Sequence, residues 1–245
     1  MRVLFAGEGD LQGPARYLAG AIADAGARLT HRPWTARLTL ADVARVDALI
    51  LSDYPRRRLA DAVQRRVAER VAQGMGLLMV GGWSSFAAPF GGGWQGSRLE
   101  RLLPVRCLRR DDRRNVASGV LMRRERAHPI LRGLPLDRPP ILCGFNEVRP
   151  TAAGVVLLSA IPLITRAGGV ALGARRHPLL VIDRDPRRRV AALTTDVAPH
   201  WCGGLVDWGR ARRTIRVAPP VDITVGDAYL RFLGQLIRWL GNIPS

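Results

Sequence analysis

The sequence predicts an α/β fold, a mainly parallel sheet flanked by helices, in one domain over residues 1–245. Three observations support it. Short apolar runs alternate with amphipathic segments in the first third of the chain, several of the apolar runs end at glycine, and a glycine-rich turn follows the fourth run. Alternation of this kind is typical of strands joined by right-handed helical crossovers.

The apolar runs predict four strands, because short continuous apolar segments are typical of strands buried on both faces. Helical spacing of apolar residues predicts the segments between them, with Pro14 at the start of the first helix and Gly26 after its end. The predicted strands are 2–7, 28–33, 47–52 and 76–82, and the predicted helices are 14–25, 40–45 and 58–73.

The rest of the chain is less regular. A glycine-rich loop at 91–94 precedes a short helix over 97–103, which Ser97 would cap. Apolar runs at 141–148, 155–162 and 179–183, separated by Pro and Gly turns, predict a β-rich elaboration over about 105–190. A further core strand at 189–195 and a terminal helix at 227–240 with one apolar stripe complete the prediction.

The charge is strongly positive. The chain has 38 basic residues, all arginine, against 20 acidic ones, for a net charge of +18. Such a charge can attract nucleic acid or another polyanion. The arginines are scattered along the chain, however, and aromatic residues, 6% of the total, do not interleave with them. We therefore favour solvated surface charge, and keep an arginine-rich polyanion-binding module as an alternative.

The cysteines and hydropathy indicate a cytoplasmic protein. Cys107, Cys143 and Cys202 are too widely spaced for a disulfide framework or a CxxC metal site. No signal segment and no run of about 18 apolar residues is present, so we expect no membrane partner. The expected partner is a small-molecule ligand of unknown identity, with a homo-oligomer possible and no cofactor.

Ligands of open α/β sheets bind outside the carboxyl ends of the strands. Asp10 and Asp53 follow two of the predicted strands, so both would face one crevice, or each would cap the next helix. With Asp196 and His200 they could supply oxygen and nitrogen ligands, but they share no tight spacing, and we predict no metal. The run at 7–10 is not a dinucleotide fingerprint, because its third glycine position is Gln12.

The turn Gly81-Gly82-Trp83-Ser84-Ser85 follows a buried strand and precedes a segment that could form a helix. A nucleophile elbow needs this arrangement, with small residues that let the chain reverse. The sequence therefore predicts that a catalytic architecture lies after the fourth strand.

These stretches resemble the class I glutamine amidotransferase-like superfamily, and in particular its uncharacterised bacterial branch called "putative glutamine amidotransferase". The most specific match is Asp196-Val197-Ala198-Pro199-His200-Trp201. The resemblance spans most of the chain and implies a flavodoxin-like sheet. It rests on residues 76–86, 102–105, 128–130, 144–148, 194–201 and 232–240.

The resemblance also implies a cysteine at the elbow and a histidine after a later strand, supported by a carboxylate. Here the elbow holds Gly82 or Trp83, and no cysteine lies within twenty residues. His200 stands where the histidine is expected, and Asp196 could orient its ring, although the pair could instead pack a loop. We expect a protein without glutaminase activity that binds a ligand through Asp10, Asp53, Gly81, Gly82, Trp83 and Trp201.

Two other nucleophiles remain open. Ser84 with His200 would make an active hydrolase or transferase, but a serine elbow needs a small residue where Phe86 stands. Cys202 lies two residues from His200 and could share its loop. Helix capping by the serine and a passive role for the thiol are the competing interpretations.

Overall fold

The structure, a computed structural model, describes residues 1–89 and 91–243. Within these ranges the four helices are α1 (Ala15–Asp24), α2 (Leu40–Ala44), α3 (Asp61–Ala72) and α4 (Asp227–Leu240). The strands of the first half are β1 (Arg2–Gly7), β2 (Arg28–Arg32), β3 (Ala48–Ser52), β4 (Gly76–Val80), β5 (Val105–Cys107) and β6 (Arg113–Arg124). Those of the second half are β7 (Ile141–Asn146), β8 (Val148–Pro150), β9 (Gly154–Arg166), β10 (Gly169–Leu172), β11 (His177–Asp183), β12 (Val190–Leu193), β13 (Arg212–Ala218) and β14 (Val221–Gly226).

Ten of these strands form one mixed sheet. Strands β2, β1, β3, β4 and β12 lie side by side and are parallel, in the order 2-1-3-4-5 that defines flavodoxin-like sheets. The sheet continues antiparallel through β11, β9, β6 and β7, with β10 paired to β9. The predicted α/β fold with a flavodoxin-like sheet is confirmed, and the predicted β-rich segment supplies its antiparallel half.

The central strands are apolar throughout because both of their faces are covered. Alternate residues of β1 enter opposite cores: Val3 and Phe5 pack in the cluster that contains α1 and α4, and Leu4 and Ala6 in the one that contains α3. All five residues of β3 and of β4 are buried. The helices thus take both faces, and the loops at the carboxyl ends of the strands are left to form a site.

Several predicted elements differ from the observed ones. The segment at 141–148 divides into β7 and β8. The segment at 97–103 contains only a 3₁₀ turn over Glu100–Leu102, with the Ser97 hydroxyl accepting the Glu100 N–H. The β13–β14 hairpin was not predicted, because its residues are mostly half-buried or exposed and lack an apolar run.

The most consequential difference follows β4. A nucleophile elbow joins a strand to a helix, but the described residues between β4 and the 3₁₀ turn at Glu100–Leu102 contain no helix. The expected strand–turn–helix geometry is therefore wrong.

The loop after β4 is instead fixed by a side chain from the antiparallel half of the sheet. The buried Asn146 amide accepts the Gly82 N–H through Oδ1 at 2.8 Å and donates from Nδ2 to the Gly82 carbonyl at 3.2 Å. The same Nδ2 donates to the Asp112 carboxylate, whose other oxygen accepts the Ala87 N–H. One asparagine thus holds both polar groups of a glycine residue and joins two parts of the fold.

Replacing Asn146 by Ala should lower the free energy of unfolding by about 3 kcal/mol, because buried groups on Gly82 and Asp112 lose their partners. Chemical denaturation measures this loss. The matched control is Gln12→Ala, at an exposed position, which should change stability little. Equal stability of the two variants would show that the asparagine does not fix the loop.

Candidate functional site

Three acidic side chains meet at the carboxyl ends of the parallel strands. Glu8 follows β1, Asp53 follows β3, and Asp196 lies three residues beyond β12. One carboxylate oxygen from each lies within 4.8 Å of the others. We call these three residues the acidic cluster. Its position agrees with the rule that ligands bind where the order of a doubly wound sheet reverses, here between β1 and β3.

Glu8 is held at the end of β1 by β3. Its N–H donates to the Ser52 carbonyl at 3.0 Å, and the Ser52 hydroxyl donates to Oε1 at 2.8 Å. The backbone of Glu8 has a φ of 51°, in the left-handed region that non-glycine residues seldom adopt. Such strain, which costs on the order of 1 kcal/mol or more, concentrates at functional sites.

Asp53 has the same left-handed backbone, with a φ of 50°. Its Oδ1 accepts the Ser84 N–H at 2.7 Å, and its own N–H donates to the Ser85 hydroxyl at 3.1 Å. A Cβ on Gly82 would stand 2.2 Å from Asp53 Oδ1, closer than any side chain permits. The carboxylate of Asp53 therefore fills the space that a side chain at position 82 would need.

Asp196 is buried by the turn that follows β12. Its Oδ1 accepts the N–H groups of Val197 at 2.6 Å and Ala198 at 3.0 Å, while the Val197 carbonyl accepts the Tyr229 hydroxyl. Helix α4 thus holds this turn against the sheet.

The acidic cluster has no basic counter-ion. Although the chain carries 38 arginines, none of those in the described ranges forms an ion pair with Glu8, Asp53 or Asp196. Burial, with repulsion from Asp196, raises the pKa of Asp53 to about 7, and the Ser84 N–H and His200 offset part of this rise. Burial raises the pKa of Asp196 to about 6.

Burial also raises the pKa of Glu8 well above its usual value, and the charges of Asp196 and Asp53 raise it further. Since two carboxylates at close range cannot both ionise readily, the cluster shares at least one proton near neutral pH. Groups of this kind can accept or donate protons at physiological pH, and they cluster at functional sites.

A cavity of about 190 Å³ opens onto the cluster. Its lining comprises Glu8, Gly9, Trp34, Asp53 and Ser84. We call this cavity the acidic crevice. Trp34 is 42% exposed beside it, so the crevice joins carboxylates to an aromatic face.

Trp83 and His200 stand on the same edge of the sheet. Their ring centroids are 5.8 Å apart, and the Arg113 guanidinium lies 4.7 Å from the centroid of the Trp83 ring. The juxtaposition expected between the loop after β4 and the segment at 199–201 is therefore present. His200 is exposed, and no hydrogen bond joins it to Asp196 in the described part of the chain, so the expected orienting contact is not formed.

The cluster could also hold a cation, because carboxylate oxygens are the ligands that Mg²⁺ and Ca²⁺ prefer. Acidic groups alone do not assign a metal, and the expectation of no metal stays a prediction. Of the residues considered for a metal in the sequence, Asp53 and Asp196 belong to the cluster, whereas Asp10 and His200 do not.

The remaining predicted site residues have other contacts. Asp10 is exposed, and its Oδ1 accepts the N–H groups of Gln12 and Gly13 in the turn before α1. Gly81 is buried against the Thr194 carbonyl. Trp201 is buried, and its indole N–H donates to Asn115 Oδ1. Only Asp53 and Ser84 from the predicted set line the crevice.

Burial raises the pKa of the Cys202 thiol, and the charge of Asp196 raises it further. A thiol in such surroundings is a poor nucleophile. The structure therefore favours the passive interpretation of this cysteine.

Three contributors were missed from sequence. Glu8 directly follows a buried strand, as Asp53 does, so the strand-end argument that selected Asp53 applies equally to it. Trp34 and Asn146 carry no comparable signal, since the long-range contacts that place them come from other parts of the chain.

Comparison with known proteins identifies the family. A family model described as "Putative glutamine amidotransferase" matches residues 37–215, which is more than half of the chain. The chain belongs to this family.

Solved structures show the same fold. A cytoplasmic protein of Salmonella typhimurium, STM3548, is similar at a TM-score of 0.72 and 19% identity, over 97% of this chain and 98% of that one. A second cytoplasmic protein, STM1381 of Salmonella typhimurium LT2, gives 0.65 and 24%, over 82% and 90%. A Thermoplasma acidophilum protein described as a putative GMP synthase component gives 0.51 and 10%, over 99% and 95%. No curated protein matches the chain.

Replacing Asp53 by Asn should stabilise the protein at pH 8 by on the order of 1 kcal/mol or more, with little effect near pH 4. The folded-state pKa of about 7 lies above the unfolded value. The wild type therefore loses stability as pH rises from about 4 through about 7, because the folded state binds more protons than the unfolded state. Denaturation at several pH values measures the difference.

The control is Asp137→Asn, which changes a side chain that is 80% exposed and should leave the pH dependence unaltered. If both variants follow the wild-type pH dependence, the raised pKa of Asp53 is refuted.

Proposed function

We propose that this protein of the amidotransferase-like family does not hydrolyse glutamine and binds a small amine-bearing ligand in its acidic crevice. The observation that carries the proposal is the position of the Asp53 carboxylate, against the Cα of Gly82. A carboxylate stands where an elbow would need its nucleophile.

The surroundings of His200 support the same conclusion. A glutaminase needs a cysteine thiolate within hydrogen-bond reach of its histidine. Here His200 has the indole of Trp83 as its neighbour, and an indole cannot attack an amide carbon. The loop after β4 also lacks the helix whose first turn follows an elbow nucleophile.

The chemistry of the acidic crevice favours a small cation. Three carboxylates without a basic partner attract positive charge, and Trp34 offers an exposed ring to an ammonium group. At about 190 Å³ the crevice is smaller than the cavities that take drug-sized ligands, which suits a small metabolite.

The alternative of a Ser84 nucleophile has less support. The residue two positions beyond an elbow serine is small, whereas Phe86 is fully buried with a φ of 46°. The Ser84 N–H is directed at the Asp53 carboxylate, which would repel a developing oxyanion. An activity-based fluorophosphonate probe that labels Ser84 would favour this alternative.

A cytoplasmic location is part of the proposal. None of the helices in residues 1–89 and 91–243 is long and apolar enough to cross a membrane. The widely spaced cysteines are consistent with a reducing compartment.

The purified protein should release no ammonia from glutamine, because no thiolate is placed beside His200. A coupled glutamate dehydrogenase assay measures the release, with the heat-denatured protein as the baseline. Glutamine hydrolysis that disappears in His200→Ala would contradict the proposal.

The crevice should bind ethanolamine or putrescine, detected as shifts of backbone amide resonances around Glu8 and Asp53. Glu8→Gln and Asp53→Asn should each weaken binding by about tenfold, since each removes a charge-assisted contact. Asp137→Asn, an exposed carboxylate elsewhere, is the matched control and should leave the affinity unchanged. Equal affinity in all variants, or binding of glucose in preference to both amines, would refute an amine site.

A further inference from the structure

A second cavity, of about 430 Å³, lies beside the acidic crevice and has the opposite charge. Four arginines line it, two from the segment after β3 and two from the segment after β5. They are Arg56, Arg57, Arg109 and Arg110. We call this cavity the arginine groove.

The four arginines are exposed, and none of them forms an ion pair with an acidic residue in the described ranges. Neighbouring arginines differ in this respect: Arg113 pairs with Asp111, and Arg114 with Glu147. Asp111 is the acidic residue among the described lining, and Arg113 already holds both of its oxygens. The groove therefore keeps a concentrated positive charge without an internal counter-ion.

The walls of the groove are fixed to one another. The Arg56 N–H donates to the Gly91 carbonyl at 2.9 Å. Gly91 has a φ of 122°, and a Cβ there would lie 2.5 Å from Arg57 Nη1, so the guanidinium packs directly over the glycine. Glycine is required at this position for both reasons. Two of the four charges are thus positioned by backbone contacts.

We propose that the arginine groove binds a small ligand that carries several phosphate groups. Guanidinium groups match phosphate oxygens through paired N–H donors and stay charged at every physiological pH. Four of them around one cavity exceed what a single carboxylate or phosphate would need. The volume lies within the range of small-molecule sites.

A small ligand fits better than a nucleic-acid strand. Single-stranded nucleic acids bind where aromatic side chains stack on successive bases, and the described lining of the groove contains no aromatic residue. The groove also lies within a few short loops, whereas a strand would need a basic track across the surface.

The proposal goes beyond the amine site and can fail independently of it. The same loops connect the two cavities, since Arg56 lies three residues after Asp53, and Ala87 of the groove three residues after Ser84. The residues to be changed differ, however, so each variant reports on one cavity.

Titration calorimetry with inorganic tripolyphosphate at low salt tests the proposal. The double variant R57Q/R109Q removes one arginine from each wall and should weaken binding by at least about tenfold. The matched control R123Q/R124Q loses the same charge from an exposed pair on β6 and should bind as the wild type does. Asp53→Asn should also bind tripolyphosphate normally.

Equal weakening in the two arginine variants would show that net charge alone drives binding and would overturn the proposal. Absence of tripolyphosphate binding, whether or not a single-stranded oligonucleotide binds, would overturn it too. Selective loss in R57Q/R109Q, with folding confirmed by an unchanged circular dichroism spectrum, is the result we expect.

Discussion

The architecture of the site depends on the pair of hydrogen bonds between the Asn146 side chain and the Gly82 backbone. Through them, the antiparallel half of the sheet fixes the loop that follows the parallel strand β4. With that backbone held, the Cα of Gly82 faces the Asp53 carboxylate, and no residue with a side chain can take its place. A glycine, an asparagine and an aspartate distant in sequence are therefore constrained together.

This constraint explains how a family fold can keep its layout and change its chemistry. The loop after β4 and the segment with His200 still meet on one edge of the sheet. What occupies the edge is different: an indole beside the histidine, and buried acids at the ends of β1, β3 and β12. Acids that share protons in a small crevice bind cations or exchange protons, which is different work from attacking an amide. The strained backbones of Glu8 and Asp53 indicate that their geometry serves function.

The sequence was most informative where local patterns determine structure. Strands β1, β3 and β4 are continuous apolar runs buried on both faces, so their type and parallel arrangement could be predicted. The strand-end rule placed Asp53 correctly and would have placed Glu8. It misplaced Asp10, because an aspartate two residues before a turn is satisfied by local N–H groups. Asn146 and Trp34 could not be predicted, since their roles depend on contacts between segments far apart in the chain.

The central claim is that three carboxylates meet without a basic partner at the carboxyl ends of the parallel strands. Carbon-13 NMR titration of the side-chain carboxyl groups tests it most directly. We expect Glu8, Asp53 and Asp196 to titrate as a coupled group, well above the ordinary range of exposed carboxyls. Independent titration of all three near the ordinary values would show that the groups do not share a site, and would contradict the account.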